Sequence, residues 1–276
     1  MATSTPRILH HRLPSTVFAL LALPALLALL AGCGNLGDRR QPIPTLVAPA
    51  RTATAATPLV VVLPGRRDNA RSMADGGVAD AIQSAWPHAQ VVLTGATLDY
   101  YLDGGLPRRL HDEIIAPELA VGGRELWLVG ASLGGMGALA YDRAYPGQAK
   151  GIILLAPYLG SRALLAEIRA AGGIAAWQAG PVPERLDRDN ALRELWRHLQ
   201  GFAGDSERGA RIWLAHGDRD RLRHAVPVIA PLLPPDHVLE RPGGHSWSVW
   251  TPALVEILQA IPSPRSGADE PAAPAR

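Results

Sequence analysis

Cysteine is almost absent from this chain of 276 residues, which has only Cys33. A single cysteine excludes any disulfide bond within the chain. Phenylalanine is also rare, with two residues, so an aromatic pocket would have to be built from tryptophan or tyrosine. A large charge of either sign is missing as well. The formal net charge is +2, and Arg7 and Arg12 are the only charged residues among residues 1–32, so the rest has 25 basic and 25 acidic residues. Nothing in this balance indicates a nucleic-acid partner.

The N-terminal segment has the pattern of an export signal. A positively charged start precedes the apolar run Val17–Ala31, which is shorter than the ~20 residues of a membrane-spanning helix. The run closes on "LAGC", residues 30–33, which resembles the signal box of bacterial lipoproteins. That resemblance implies a signal peptide over residues 1–32 and a lipid on Cys33. The alternative is a cysteine that happens to end an ordinary signal peptide.

The implied location is the cell envelope, with the protein lipid-anchored to a membrane at its periplasmic face. Gly34 follows the cysteine where an acidic residue can retain such lipoproteins in the inner membrane, which favours the outer membrane.

Composition divides the remaining chain into three parts. Residues 33–57 are rich in proline, alanine and threonine without helical or strand periodicity, which predicts an extended, solvated tether. Residues 58–262 alternate apolar and amphipathic stretches and are predicted to fold. Residues 263–276 have the composition of a loose tail.

The folded part reads as an α/β domain with a mostly parallel sheet covered by helices on both faces. Short runs that are apolar on both sides are typical of buried parallel strands, and amphipathic stretches lie between them. Residues 161–208 break this alternation, because they contain helical stretches and no strand. We interpret that interval as a helical cap over the carboxyl edge of the sheet. The six predicted strands are 59–63, 90–95, 125–130, 151–156, 211–217 and 237–243.

The stretch "LWLVGASLGGMGAL" contains the pattern G-x-S-x-G, with Ser132 at its centre, after a predicted strand and before a predicted helix. In a strand–turn–helix corner of this kind, the serine hydroxyl projects from the sheet edge, and the flanking glycines allow close backbone approach. The helix N-terminus presents unpaired N–H groups where negative charge develops on a substrate oxygen. A glycine-rich turn that happens to contain serine is the alternative interpretation.

A nucleophilic serine needs a base, and the base needs an orienting acid. His245 follows the last predicted strand, whereas the other histidines lie in the signal segment, on helix or strand flanks, or, as His216 does, within a strand end. Asp218 and Asp220 both follow the preceding strand, so the residues alone leave the acid open between them. All these positions lie at the same edge of the predicted sheet.

With these motifs in this order, residues 58–262 resemble an α/β-hydrolase. Members of that fold often carry "HG-x-x-D" after the seventh strand, and matching "HGDRD" to it implies that Asp220 is the acid and Asp218 a turn residue. The resemblance also implies an oxyanion hole from the N–H groups of Leu133 and Arg66. The family commonly has His-Gly before the second donor, whereas this chain has Pro64-Gly65. The segment "GASLGGMGAL" is similar to the esterase branch that includes S-formylglutathione hydrolases and feruloyl-type esterases.

The predicted function is therefore hydrolysis of small carboxylic esters through an acyl-enzyme on Ser132, without a metal or organic cofactor. "HGDRD" lacks the second histidine that a metallohydrolase cluster would need. Two alternatives stay open: acyl transfer or thioester cleavage by the same residues, and a catalytically silent envelope-binding lipoprotein that reuses the fold.

Short acyl groups are expected because the predicted cap is rich in charge and has only a narrow apolar stripe, whereas a long acyl chain needs an extended apolar trough. The aromatic residues available to wall a compact pocket near Ser132 are Tyr100, Tyr101, Trp177, Trp196 and Trp247.

Overall fold

One seven-stranded sheet organises the chain. The computed structural model describes residues 37–52 and 57–262, and in these residues the strand order is β1-β3-β2-β4-β5-β6-β7. Every neighbouring pair is parallel except β1 and β3, which are antiparallel. The strands are β1 Thr45–Ala48, β2 Leu59–Leu63, β3 Gln90–Thr94, β4 Leu126–Ala131, β5 Ala149–Leu155, β6 Ile212–Gly217 and β7 Val238–Arg241. All six predicted strands are present, and the predicted mostly parallel sheet is confirmed.

Helices cover both faces of this sheet. A π-helical turn, His111–Ile115, joins the helices Leu106–Leu110 and Ala116–Leu119, and short 3₁₀ turns occur at Leu98–Tyr101, Arg223–Ala225, Ala230–Leu232 and Pro235–His237. The helices are α1 Ala70–Asp75, α2 Val78–Ala85, α3 Leu106–Leu110, α4 Ala116–Leu119, α5 Leu133–Ala144, α6 Arg162–Ala170, α7 Ala191–Gln200, α8 Ser206–Ala210, α9 Val226–Ile229 and α10 Trp247–Ala260.

The strands supply two separate cores because successive side chains of a strand point to opposite faces. In β2, Val61 packs into a core shared with α3, α5, α6 and α7. Val60 and Val62 of the same strand pack into the other core, shared with α1, α2 and α10. Uniform burial of β2 and β4 follows from this two-sided covering, which is why these strands are continuously apolar.

The tether prediction was wrong for residues 45–48, which form the edge strand β1. Thr45 pairs with Thr94 and Ala48 with Val91, so β1 runs antiparallel along β3. Ile43, just before it, is buried in the core. The prolines that suggested a tether lie outside the hydrogen-bonded ladder of β1 and β3. This agrees with the rule that proline, which lacks an N–H to donate, occurs mainly at the edges of sheets.

The interval 161–208 contains two helices longer than one turn and no strand, as expected of its sequence. Its second helix, α7, is anchored among the helices of one face. Trp196 of α7 is fully buried and donates from its indole Nε1 to the Leu159 carbonyl at 2.8 Å. His198, two residues further along α7, contacts Asp142 of α5 at 3.0 Å. α7 thus lies along α5, in the layer of helices, and the role of the interval as a cap stays a prediction.

Within residues 37–52 and 57–262, the structure contains no helix with the length and apolar character needed to span a bilayer. The predicted signal peptide and Cys33 lie outside the described residues.

Candidate active site

Ser132 occupies a sharp corner between β4 and α5. Its φ of 52° and ψ of −111° lie outside the regions that side-chain-bearing residues normally adopt. Three backbone hydrogen bonds hold this conformation. The Ser132 N–H donates to the Leu155 carbonyl at 2.8 Å, and the Ser132 carbonyl accepts from Tyr158 and Gly135 at 2.8 and 3.1 Å. The corner therefore rests on the end of β5 as well as on its own helix.

The glycines around Ser132 are required by close backbone contacts. A Cβ on Gly130 would lie 2.6 Å from the Gly135 Cα, and one on Gly134 would lie 2.8 Å from the Pro64 carbonyl oxygen and collide with that of Leu63. These separations are shorter than van der Waals contact. The spacing of the G-x-S-x-G pattern thus follows from the packing of the α5 N-terminus against β4 and the chain after β2.

His245 connects the serine to a carboxylate. Its Nε2 lies 2.9 Å from Ser132 Oγ, and its Nδ1 lies 2.8 and 2.9 Å from the two carboxylate oxygens of Asp220. The Trp250 ring packs edge-on against the imidazole, with centroids 4.7 Å apart. Ser132 and Asp220 are buried, and the His245 side chain is 14% exposed. One ring nitrogen of His245 can therefore face the serine while the other donates to the aspartate.

The two candidate aspartates occupy different environments. Asp220 is fully buried and, besides contacting His245, accepts from the Leu222 N–H at 2.7 Å. Asp218 is 45% exposed and accepts from the Gly243 N–H at 2.7 Å, joining the loops after β6 and β7. His216 is buried in β6, with its Nδ1 3.1 Å from the Gly217 carbonyl oxygen. Of these three side chains, only Asp220 is in hydrogen-bond contact with His245.

The loop after β2 lies against the corner. A Cβ placed on Gly65 would be 3.6 Å from the Ser132 Cβ, so Pro64-Gly65-Arg66 runs beside the serine. Among the described residues, neither the Arg66 N–H nor the Leu133 N–H donates a hydrogen bond. Leu133 directly follows Ser132, and Arg66 directly follows Gly65, which lies beside the serine; their role as oxyanion donors stays a prediction. The Arg66 side chain is exposed.

Asp68 is a residue of this site that the sequence analysis did not identify. Its N–H donates to the Gly65 carbonyl at 3.0 Å, and its carboxylate packs against Gly65. Burial raises the pKa of Asp68, and the neighbouring Trp247, His245 and Arg67 lower it by less. The sequence could have indicated Asp68, because the loop after β2 begins at the same carboxyl edge of the parallel sheet as Ser132.

Most of the aromatic residues proposed as pocket walls lie elsewhere. Trp196 and Trp177 are buried in the core beneath α5 and α6, and the Trp177 indole donates to Glu167 at 2.9 Å. Tyr100 is buried near residues 41 and 42. The Tyr101 hydroxyl is buried beside Gly137 of α5. Trp247 lies at the site, where it contacts Trp250 with ring centroids 5.4 Å apart.

No group of three or more histidine, cysteine, aspartate or glutamate side chains within the described part of the chain is arranged to hold a metal ion. The chemistry available here is that of a serine hydroxyl hydrogen-bonded to an imidazole, which in turn contacts a buried carboxylate.

Comparison of the sequence with protein families gives a match to the family described as "Putative esterase" over residues 113–261. This range includes Ser132, Asp220 and His245. None of the curated proteins compared with the chain matches it.

Solved structures share the fold at low sequence identity. Est1E from Butyrivibrio proteoclasticus is 14% identical, with a TM-score of 0.51 over 79% of this chain and 92% of that one. FphF, a fluorophosphonate-binding serine hydrolase of Staphylococcus aureus, is 10% identical, with a TM-score of 0.51 over 80% and 98%. The S-formylglutathione hydrolase FrmB of S. aureus is 13% identical, with a TM-score of 0.50 over 76% and 82%. The predicted α/β-hydrolase fold is confirmed.

Proposed function

Because this chain belongs to the "Putative esterase" family and is a carboxylic-ester hydrolase, we propose that it cleaves short-acyl esters through Ser132, His245 and Asp220. The observation that carries the proposal is the unbroken contact from Ser132 Oγ through both nitrogens of His245 to the buried Asp220 carboxylate.

The reaction follows from the proton positions that this contact allows. Ser132 Oγ attacks the acyl carbonyl carbon while His245 Nε2 takes the hydroxyl proton. Asp220 holds the Nδ1–H and stabilises the imidazolium that forms. The C–O bond to the alcohol then breaks, and the alcohol leaves with the proton from Nε2. Water attacks the acyl-enzyme in the same way, with His245 again accepting a proton, and the carboxylic acid is released.

The negative charge that develops on the carbonyl oxygen during the attack is stabilised by hydrogen-bond donors that are already in position. The Leu133 and Arg66 N–H groups fill this role in the proposal, because both lie at the corner and are without a hydrogen-bond acceptor among the described residues. Loss of one such donor typically reduces kcat by about 10²–10³.

A short acyl group is supported by where the apolar residues of the interval 161–208 lie. Trp196 and Leu199 of α7 are buried in the core beside α5. A long acyl chain needs many methylenes buried at about 0.8 kcal/mol each, and these side chains are committed to the fold. We expect kcat/KM on p-nitrophenyl esters to peak between acetate and butyrate and to fall steeply by octanoate.

Fluorophosphonate labelling together with this ester series tests the proposal. Wild-type protein should be labelled and should hydrolyse the short esters. Ser132→Ala should abolish labelling and reduce hydrolysis by about 10⁴ or more while the protein stays folded. Ser84→Ala, an exposed serine of α2, is the matched control and should retain both properties. Wild-type-like activity of Ser132→Ala would rule out the serine mechanism, and absence of labelling in the wild type would favour a catalytically silent protein.

We further propose that a lipid on Cys33 attaches the protein to a membrane of the cell envelope, on its periplasmic face. The motif "LAGC" at the end of the apolar N-terminal run supports this proposal.

A further inference from the structure

A cavity of about 330 Å³ lies beside α5, and none of Ser132, Asp220 and His245 lines it. Its walls come from three parts of the chain. These are the stretch from Tyr101 to Arg108, the α5 face that carries Met136 and Ala140, and residues 186–195. The volume is at the lower end of the range for small-molecule sites.

The floor of the cavity is apolar. Leu106 and Leu195 are buried at its base, and Met136 and Ala140, one helical turn apart, form the side along α5. Tyr145 also lines the cavity and stacks on His111 with ring centroids 4.1 Å apart. An occupant would thus bury a hydrocarbon or aromatic body against these side chains.

The rim of the cavity is rich in arginine. Arg108, Arg143 and Arg188 line it from three different segments, and Asp187 is the only acidic lining residue. Each arginine has a carboxylate 3.8 to 3.9 Å away, on Asp112, Glu194 and Asp189 respectively, and none of these acids lines the cavity. Among the described residues, none of the three guanidinium groups makes a hydrogen bond.

Asp187, the acid of the rim, is hydrogen-bonded to the backbone. Its Oδ1 accepts from the Asp189 and Asn190 N–H groups at 2.9 and 3.0 Å, which commits that oxygen to the turn before α7. The acids beside the three arginines offset their charge but leave their hydrogen-bond donors unused, so an anion at the mouth gains charge-assisted hydrogen bonds from them. Guanidinium groups suit a carboxylate because their N–H pairs match its two oxygens.

We propose that this cavity binds a monocarboxylate with an apolar body, of the medium-chain fatty-acid type, with the carboxylate at the arginine rim and the chain along α5. The site is separate from the proposed catalytic residues, so binding does not depend on Ser132.

Calorimetric titration of the full chain carrying Ser132→Ala with decanoate tests the proposal, since this background prevents turnover. Decanoate should bind, decanol and decylamine should bind at least tenfold more weakly, and affinity should fall as salt is raised. From hexanoate to decanoate, affinity should rise by about fourfold per methylene, the equivalent of about 0.8 kcal/mol each. Equal binding of decanol and decanoate would overturn the charge selection on which the proposal depends.

Two variants locate the site. The double variant Arg108→Gln/Arg188→Gln should weaken decanoate by about tenfold or more, since hydrogen bonds to charged groups are lost while both exposed side chains stay polar. Arg71→Gln, an exposed arginine of α1 on the other face of the sheet, is the control and should bind normally. Ala140→Phe should block the chain position. Unchanged decanoate binding in the double variant and in a folded Ala140→Phe would show that the fatty acid binds elsewhere.

Discussion

Two residues other than glycine have positive φ in the described chain, and they are neighbours in space. Ser132 has a φ of 52° and Ala156 a φ of 45°, at the ends of the adjacent strands β4 and β5. A non-glycine residue in such a region costs about 1–3 kcal/mol, which the surrounding structure must offset. Here the Leu155 carbonyl accepts from Ser132, and the Ala156 N–H donates to Ala215 at 2.7 Å. Hydrogen bonds to the neighbouring strands β5 and β6 thus offset the backbone strain at this edge of the sheet.

The two aspartates after β6 give the sharpest prediction for single residues. Asp220→Asn should reduce kcat by about 10³–10⁴, because the amide no longer fixes the histidine tautomer that accepts the serine proton. Asp218→Asn should have a far smaller effect, because its amide oxygen can still accept from the Gly243 N–H. Steady-state rates on p-nitrophenyl acetate compare the two. The reverse order of rates would assign the acid to Asp218.

At the scale of elements, the start of α5 is where helix, strand and loop meet most closely. Gly134→Ala should destabilise the fold by about 3 kcal/mol and reduce activity, because the added methyl meets the Leu63 and Pro64 carbonyls and must displace the corner. Urea unfolding measures the change in free energy.

Gly244→Ala is the matched control for that measurement. A Cβ there would have no atom within 4 Å, and the residue does not have a positive φ, so its stability should change by less than about 1 kcal/mol. Wild-type stability in Gly134→Ala would contradict the packing argument for the G-x-S-x-G glycines.

A buried charge cluster joins α5, α7 and the start of β6. The Asp142 carboxylate contacts His198 Nε2 at 3.0 Å and Arg211 Nη1 at 3.2 Å, and its side chain is 1% exposed. Burial by itself raises the pKa of Asp142, but the His198 hydrogen bond and the Arg211 charge outweigh it and hold that pKa below its ordinary value of 3.8. The ionised carboxylate therefore stabilises the fold above that pH, and the contribution is lost as the pH falls through the lower folded-state value.

Asp142→Asn should accordingly lower the free energy of unfolding by about 3 kcal/mol near neutral pH, because Arg211 is left without its counter-charge. The difference from wild type should shrink as the pH falls below 3.8. Asp112→Asn, which removes an exposed partner of Arg108, should change stability by less than about 1 kcal/mol. Urea unfolding at several pH values measures both variants, and a difference for Asp142→Asn that does not depend on pH would contradict this account.

At the scale of the whole molecule, the folded domain begins close to the proposed anchor. The Arg39 N–H already donates to Asp99 at 2.7 Å, six positions after Cys33. Six residues span at most about 20 Å. If Cys33 carries the lipid, the edge of the sheet that holds β1 is kept near the membrane surface.

Cys33→Ser should release the protein from the membrane fraction, because several acyl chains on one residue make stable attachment and a single chain binds only marginally. Carbonate extraction of wild-type and variant membranes measures this. A variant that still sediments with membranes and resists extraction would contradict the lipid-anchor proposal.

The sequence by itself was sufficient for the features that local pattern determines. The apolar runs of β2 to β6 predict a parallel sheet because buried strands need no long-range information to be recognised. The order of Ser132, Asp218 and Asp220, and His245, each past a strand, predicts that they share one sheet edge, whereas the choice of Asp220 depended on the resemblance to α/β-hydrolases. The glycines around Ser132 predict the corner for the same local reason.

Tertiary contacts decided what local pattern does not encode. Residues 45–48 have the composition of a tether, but their backbone pairs with β3. The Gln83 side-chain amide also donates to the Pro49 carbonyl at 2.8 Å, across 34 residues of sequence. The placement of α7 along α5, the approach of Asp68 to His245 and the gathering of three arginines around one cavity likewise join segments far apart in the chain. Their energies come from burial and charge between distant residues, which no stretch of sequence displays on its own.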